Sequence, residues 1–127
     1  MLYVFSSQPK TIENYLTSRG MKYELVDKEK YGVFLQSYIP LGGDIGIVYD
    51  FGKIIPESLL QNLLLLNIHF SLLPKYRGAV PVEAAILSGE TETGITIQKM
   101  VKGMDAGDIL LQETINIIQE IDMVIEK

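Results

Sequence analysis

Asn67 and His69 close an apolar run, Leu63-Leu64-Leu65-Leu66, and stand one residue apart with Ile68 between them. In an extended strand, side chains at i and i+2 project to the same face, so this amide and imidazole would sit side by side. At the carboxyl end of a buried strand, such a pair can aim two donors at one developing oxyanion, as needed for the tetrahedral intermediate of an acyl transfer. His69 is the single histidine of the chain, and imidazole is the side chain that most readily changes charge near neutral pH. The same two residues could instead satisfy backbone groups at a polar strand end, and a motif this short does not decide between the two. A third candidate is Asp105, in the glycine-flanked stretch Gly103-Met104-Asp105-Ala106-Gly107. A carboxylate beside an imidazole favours the imidazolium and fixes which ring nitrogen faces a substrate. Aspartate between glycines equally forms an Asx-turn with its own backbone, a reading that suits Asp108 better.

The elements that must position these residues alternate between strand and helix. Leu2 to Phe5 is a short apolar run ended by Ser6-Ser7-Gln8-Pro9, which reads as a first strand and its loop. Lys10 to Arg19 carries Ile12, Tyr15 and Leu16 at helical spacing, with Pro9 before it and Gly20 at its stop. Met21 to Val26 reads as a second strand, Lys28-Glu29-Lys30 as a solvated turn, and Tyr31 to Ile39 fits either a strand or a helix fragment. Asp44 to Tyr49 is apolar at nearly every position, as expected of a strand covered on both faces. Pro56 to Leu66 places Leu59, Leu60, Leu63 and Leu64 on one helical stripe, with the last leucines entering the strand that holds Asn67. A short helix from Val80 to Leu87 follows, then a β-branched strand around Ile95 to Ile97 and another from Ile109. This order predicts an α/β fold of Rossmann-like type, with a mostly parallel sheet flanked by helices and ligands beyond the carboxyl ends of the strands.

Composition narrows the classes. A chain of 127 residues supports one domain and one core. With 47% hydrophobic and 21% charged residues it is ordinary globular material. It contains no cysteine, so neither a disulfide frame nor a sulfur-based zinc site can form, and one histidine argues against a histidine-rich metal centre. No apolar run approaches the roughly 18 residues that span a membrane, and the N-terminus lacks the pattern of a secretory signal, so no membrane association and a cytoplasmic location are expected. The net charge of −5 and pI near 4.8 speak against a domain that grips RNA by itself. Lys75-Tyr76-Arg77 is a small basic-aromatic turn that could meet a phosphate or a base, although such a turn is more often a solvated loop.

The run Asn67-Ile68-His69-Phe70-Ser71-Leu72-Leu73-Pro74, followed by Tyr76-Arg77-Gly78-Ala79 and Pro81, resembles the signature of the folate-dependent formyltransferase family. Gly89-Glu90, Thr93-Gly94-Ile95-Thr96-Ile97 and Gly103-Met104-Asp105-Ala106-Gly107-Asp108 resemble its second signature, and the match extends from about Ile45 to Ile115. The resemblance implies a Rossmann-like formyltransferase domain over residues 1–127, without the family's C-terminal β-barrel and shortened in its first half. It implies 10-formyltetrahydrofolate as formyl donor, Asn67, His69 and Asp105 as catalytic residues, and no metal. It further implies that the loop Asp50 to Pro56 cradles the pteridine ring, with Phe51, Gly52, Lys53, Ile54 and Met104 as binding residues, whereas Ser6-Ser7-Gln8 departs from the family's glycine-bearing first loop and receives no folate contact. Protonated His69 and Asn67 would hold the oxyanion while Asp105 relays the amine proton. Among acceptors, the resemblance favours methionyl-tRNA, although the acidic charge lends it little support. A small amine, water, or a folate-binding module without turnover are the alternatives. Apolar positions left exposed by the short chain favour either a homodimer or poor solubility.

Overall fold

The computed structural model describes residues 1–70, 73, 87, 89, 92–103 and 106–116. The expected helix at Val80 to Leu87, apart from Leu87 itself, lies outside them, as do Lys75, Tyr76 and Arg77. Among the described residues the elements run β1 (Leu2–Phe5), α1 (Lys10–Ser18), β2 (Glu24–Val26), α2 (Lys28–Ser37), β3 (Ile45–Tyr49), α3 (Glu57–Asn62), β4 (Leu64–His69), β5 (Glu92–Lys99) and β6 (Ile109–Asn116). They form one six-stranded sheet in the order β2-β1-β3-β4-β5-β6. The first four strands of that order pair in parallel, and β5 and β6 are added antiparallel. The mostly parallel α/β architecture is thus the one expected. The chain lays β2 on one side of β1 and β3 on the other, so the order reverses at the β1/β3 boundary, the place where open α/β sheets bind ligands.

One face of the sheet carries the main core. Phe5, Val48 and Leu65 pack with Val26, Tyr31, Phe51, Leu59 and Leu63 in a single buried cluster. Tyr31, Phe34 and Tyr38 from α2 and its cap meet Tyr3 and Phe5 edge-on, with ring centroids 5.2 to 6.1 Å apart. Such pairs contribute on the order of 0.5–1.5 kcal/mol each beyond area burial. Gly46 makes this packing fit: a Cβ there would lie 2.3 Å from Cδ2 of Leu65 and 2.9 Å from Cε2 of Phe5.

Four local expectations change. Lys28-Glu29-Lys30 is the first turn of α2 rather than a free turn, because the Asp27 side chain caps it by accepting from the Lys30 N–H at 2.9 Å. The ambiguous stretch from Tyr31 is therefore helix as far as Ser37, with Tyr31 buried and Phe34 and the cap residue Tyr38 partly buried against the core. The second strand is only Glu24–Val26, while Tyr23 outside it donates its hydroxyl to Glu13 of α1. The α3 helix ends at Asn62, so Leu63 is its cap and Leu64 belongs to β4, where pairing with β3 outcompetes another helical turn. Finally, β3 is not covered on both faces: Gly46 and Val48 are buried, but Ile45 is 38% exposed and Ile47 and Tyr49 are half-buried.

Candidate active site

The carboxyl ends of β1, β3 and β4 converge on one rim of the sheet. In β4, strand alternation places Leu65, Asn67 and His69 on the core face, so the polar pair continues the face that Leu65 begins. His69 is the last residue of the strand and 5% exposed, and Asn67 is half-buried. Register then supplies neighbours that the sequence reading did not single out. Asn67 lies between Val48 of β3 and Gln98 of β5, and His69 lies opposite Thr96. Thr96 and Gln98 are both buried, so four polar side chains from two antiparallel strands share one face at the sheet's carboxyl rim. A pair of donors embedded among other buried polar groups and apolar core works in a lower dielectric than water, where hydrogen bonds to a developing charge are strongest. The signal for Thr96 and Gln98 was present as their alternation with Ile95 and Ile97, but only the pairing reveals which polar residues they face.

Behind the rim, the loop after β3 is held from two sides. Ser7, just beyond β1, donates its N–H to the Asp50 carbonyl at 2.9 Å and its hydroxyl to the Phe51 carbonyl. Tyr31 of α2 donates its hydroxyl to the Ile54 carbonyl at 2.8 Å. Burial pushes the Tyr31 phenol pKa up, which keeps this donor protonated. Asp50 adopts a left-handed conformation, φ 48°, so the chain turns sharply at the strand end. The expected binding residues then divide. The Phe51 ring is 3% exposed and packs edge-on against Tyr31 at 4.8 Å and Phe5 at 5.8 Å, so it belongs to the core. Gly52 and Lys53 are exposed, and the Ile54 side chain is 89% exposed. An apolar side chain presented on a rigidly held loop at the switch point suits the wall of a flat heterocycle. Ser7, passed over in the sequence, is a structural part of this loop.

Met104 and Asp105 lie outside the described residues, as does Ser71. Their flanks are informative. The Lys99 N–H donates to the Asp108 carbonyl at 2.9 Å, joining Asp108 to the end of β5. Gly107 is obligatory there, because a Cβ would fall 1.5 Å from the Lys99 carbonyl oxygen. Gly107 and Asp108, two and three positions beyond Asp105 in the sequence, are therefore tied to the strand that carries Thr96 and Gln98. Among the described residues, no cluster of His, Cys, Asp or Glu could hold a metal ion, and no helix is long and apolar enough to cross a membrane.

The sheet is a mostly parallel α/β sheet with a polar pair at the end of β4 and an antiparallel β5/β6 extension, and comparison with known proteins supplies its class. Residues 13–124 match the formyl transferase family, and the chain belongs to that family. It is similar to methionyl-tRNA formyltransferase of Staphylococcus epidermidis (strain ATCC 12228 / FDA PCI 1200), at 42% identity over 114 residues, covering 88% of this chain and 37% of the relative. It is also similar to methionyl-tRNA formyltransferase of Coprothermobacter proteolyticus, at 50% identity over 93 residues, covering 72% of this chain and 31% of the relative. The chain thus spans about a third of the length of these relatives. In fold it is similar to phosphoribosylglycinamide formyltransferase of Campylobacter jejuni, with TM-score 0.72 and 18% identity, over 99% of this chain and 90% of that one. HypX of Aquifex aeolicus, whose structure is in complex with tetrahydrofolic acid, superposes with TM-score 0.73 at 21% identity, over 91% of this chain and 21% of its own.

Proposed function

We propose that this chain is a single catalytic domain that transfers the formyl group of 10-formyltetrahydrofolate to the amino group of methionyl-tRNA. The observation that carries the reading is the placement of Asn67 and His69 on one face at the carboxyl end of β4, beside the switch-point loop Asp50 to Ile54. Its support is the family membership and the methionyl-tRNA formyltransferase relatives. In this reading the neutral amine attacks the formyl carbon, a new C–N bond forms, and the carbonyl oxygen becomes an oxyanion held by Asn67 and His69. Asp105 accepts the amine proton and returns it to the donor nitrogen as the bond from that nitrogen to the formyl carbon breaks. Gly52, Lys53, Ile54 and Met104 line the pteridine, and Phe51 serves it through the loop backbone while its ring braces the loop from within the core. A translation enzyme of this kind works in the cytoplasm.

The test is formyl transfer from 10-formyltetrahydrofolate to methionyl-tRNA, run beside a tRNA-free control and with Asp105→Asn as the negative. Formylated methionyl-tRNA, absent with the variant, is the expected result. Donor consumption without tRNA product would assign a small amine or water as acceptor, and folate binding without consumption would replace the enzyme with a binding module.

A further inference from the structure

The outermost strand reaches back to the candidate site through one side chain. Gln112 of β6 pairs in register with Thr96, which in turn lies opposite His69. The Gln112 Nε2 donates to the Leu73 carbonyl at 3.0 Å and to the Thr96 hydroxyl oxygen at 3.0 Å. The Leu73 N–H donates to the same Thr96 oxygen at 3.2 Å. Both protons of one amide and both lone pairs of one hydroxyl are thereby used in a closed ring of three hydrogen bonds. Thr96 is fully buried and Leu73 is 6% exposed, so the ring closes over the core end of the sheet, while Gln112 itself is exposed on its outer side.

We propose that Gln112 is a positioning residue for His69. The inference rests on the reading of His69 as an oxyanion donor. The backbone around His69 is held by the β4/β5 ladder at Thr96, and the chain beyond it is held at Leu73 by the Thr96 hydroxyl and Gln112. The end of the catalytic strand is thus anchored on both sides to one residue of β5, and Gln112 locks that residue's hydroxyl. An oxyanion donor must be held to within about 0.5 Å, and a misplacement of about 1 Å costs orders of magnitude in rate. No residue that touches the substrate is required for this effect. Because water can replace part of what the exposed amide provides, its loss loosens the site without unfolding the sheet.

The unique histidine makes the test direct, since labelled imidazole gives one set of resonances. In Gln112→Leu, the imidazole resonances are expected to shift and broaden and the Leu73 amide to exchange about tenfold faster. The kcat is expected to fall about tenfold with KM for the formyl donor unchanged, the signature of a displaced transition-state contact. Thr96→Val, which removes the shared acceptor, should reproduce the imidazole change, and covers the case in which one variant folds poorly. Parental imidazole resonances and Leu73 exchange in Gln112→Leu would overturn the proposal. If the parent protein shows no formyl transfer while Gln112→Leu still moves the imidazole signals, the clasp stands and the formyl-transfer reading is what fails.

Discussion

At the scale of single residues, the proposed mechanism has the amide of Asn67 and the imidazole of His69 stabilise one charge, so each should matter on its own. Asn67→Ala removes a donor from a half-buried position beside Val48 and Gln98. Turnover is expected to fall by about 10² to 10³ with a small change in donor KM, as for loss of one oxyanion donor elsewhere. Near-parental kcat would remove Asn67 from the mechanism. A second residue-level prediction concerns Gly107. An Ala Cβ there collides with the Lys99 carbonyl, so Gly107→Ala must break the Lys99–Asp108 hydrogen bond and shift the residues two and three positions beyond Asp105. Formyl transfer is expected to fall at least tenfold while the melting temperature of the sheet changes by only a few degrees. The N-x-H pair was legible because strand alternation alone fixes its geometry. Thr96, Gln98 and Gln112 were not, because their relation to His69 arises from antiparallel pairing between distant segments, which a local pattern does not encode. Phe51 was legible as part of the site loop but not as a core ring, since an aromatic beside a glycine reads the same in either role.

Among the elements, α2 does more than cover the sheet. Its Tyr31 carries an edge-on contact to Phe51 and a hydroxyl to the Ile54 carbonyl, so one side chain links the core to the loop after β3, the proposed folate loop. Tyr31→Phe keeps the ring and deletes only the hydroxyl. The expected loss is about 1 kcal/mol of stability and a several-fold weaker folate affinity, measured by denaturant unfolding and by titration with tetrahydrofolate. An unchanged folate affinity would show that the loop does not depend on this brace. The helix itself was poorly legible: Gly32 and Val33 lower helix propensity, and a charge run looks like a turn until Asp27 is seen as its cap. The spacing Tyr31, Phe34, Tyr38 was the available sign, a helical stripe interrupted by weak helix formers. The β3 strand was read as doubly buried because its residues are apolar throughout, yet cover on the second face depends on what packs there and not on the strand's own sequence.

For the whole molecule, charge and exposed apolar surface pull in opposite directions. The Met1 ammonium and the Tyr38 hydroxyl both donate to Asp44, at 3.0 and 2.9 Å. These bonds, the ammonium first, hold the Asp44 carboxyl below its ordinary value of 3.8. A depressed carboxyl stabilises the fold above its unfolded pKa and loses that contribution as pH falls through the folded one, so acid should destabilise the parent below about pH 4 more than Asp44→Asn. Burial, with Asp44 beside it, pushes the Tyr38 phenol up to about 12 from 10.0. That stabilisation is complete below pH 10 and is lost as pH rises towards about 12, a loss that Tyr38→Phe should diminish in alkaline unfolding curves. At neutral pH the net charge of −5 keeps copies apart. Yet Ile45 and Leu64 pair in register on the second face with 38% and 41% exposure, and Leu111 of the edge strand β6 is 56% exposed. Among the described residues β6 pairs only with β5, which leaves one long edge without a ladder partner. We therefore expect a homodimer whose affinity rises with salt, because screening weakens the like-charge repulsion while apolar burial persists. Sedimentation should give a mass that grows with protein concentration and grows further at high salt. Leu111→Lys, which puts a charge on that edge, should return the protein to monomer, and a mass independent of both concentration and salt in the parent would show that these apolar residues serve no contact between copies.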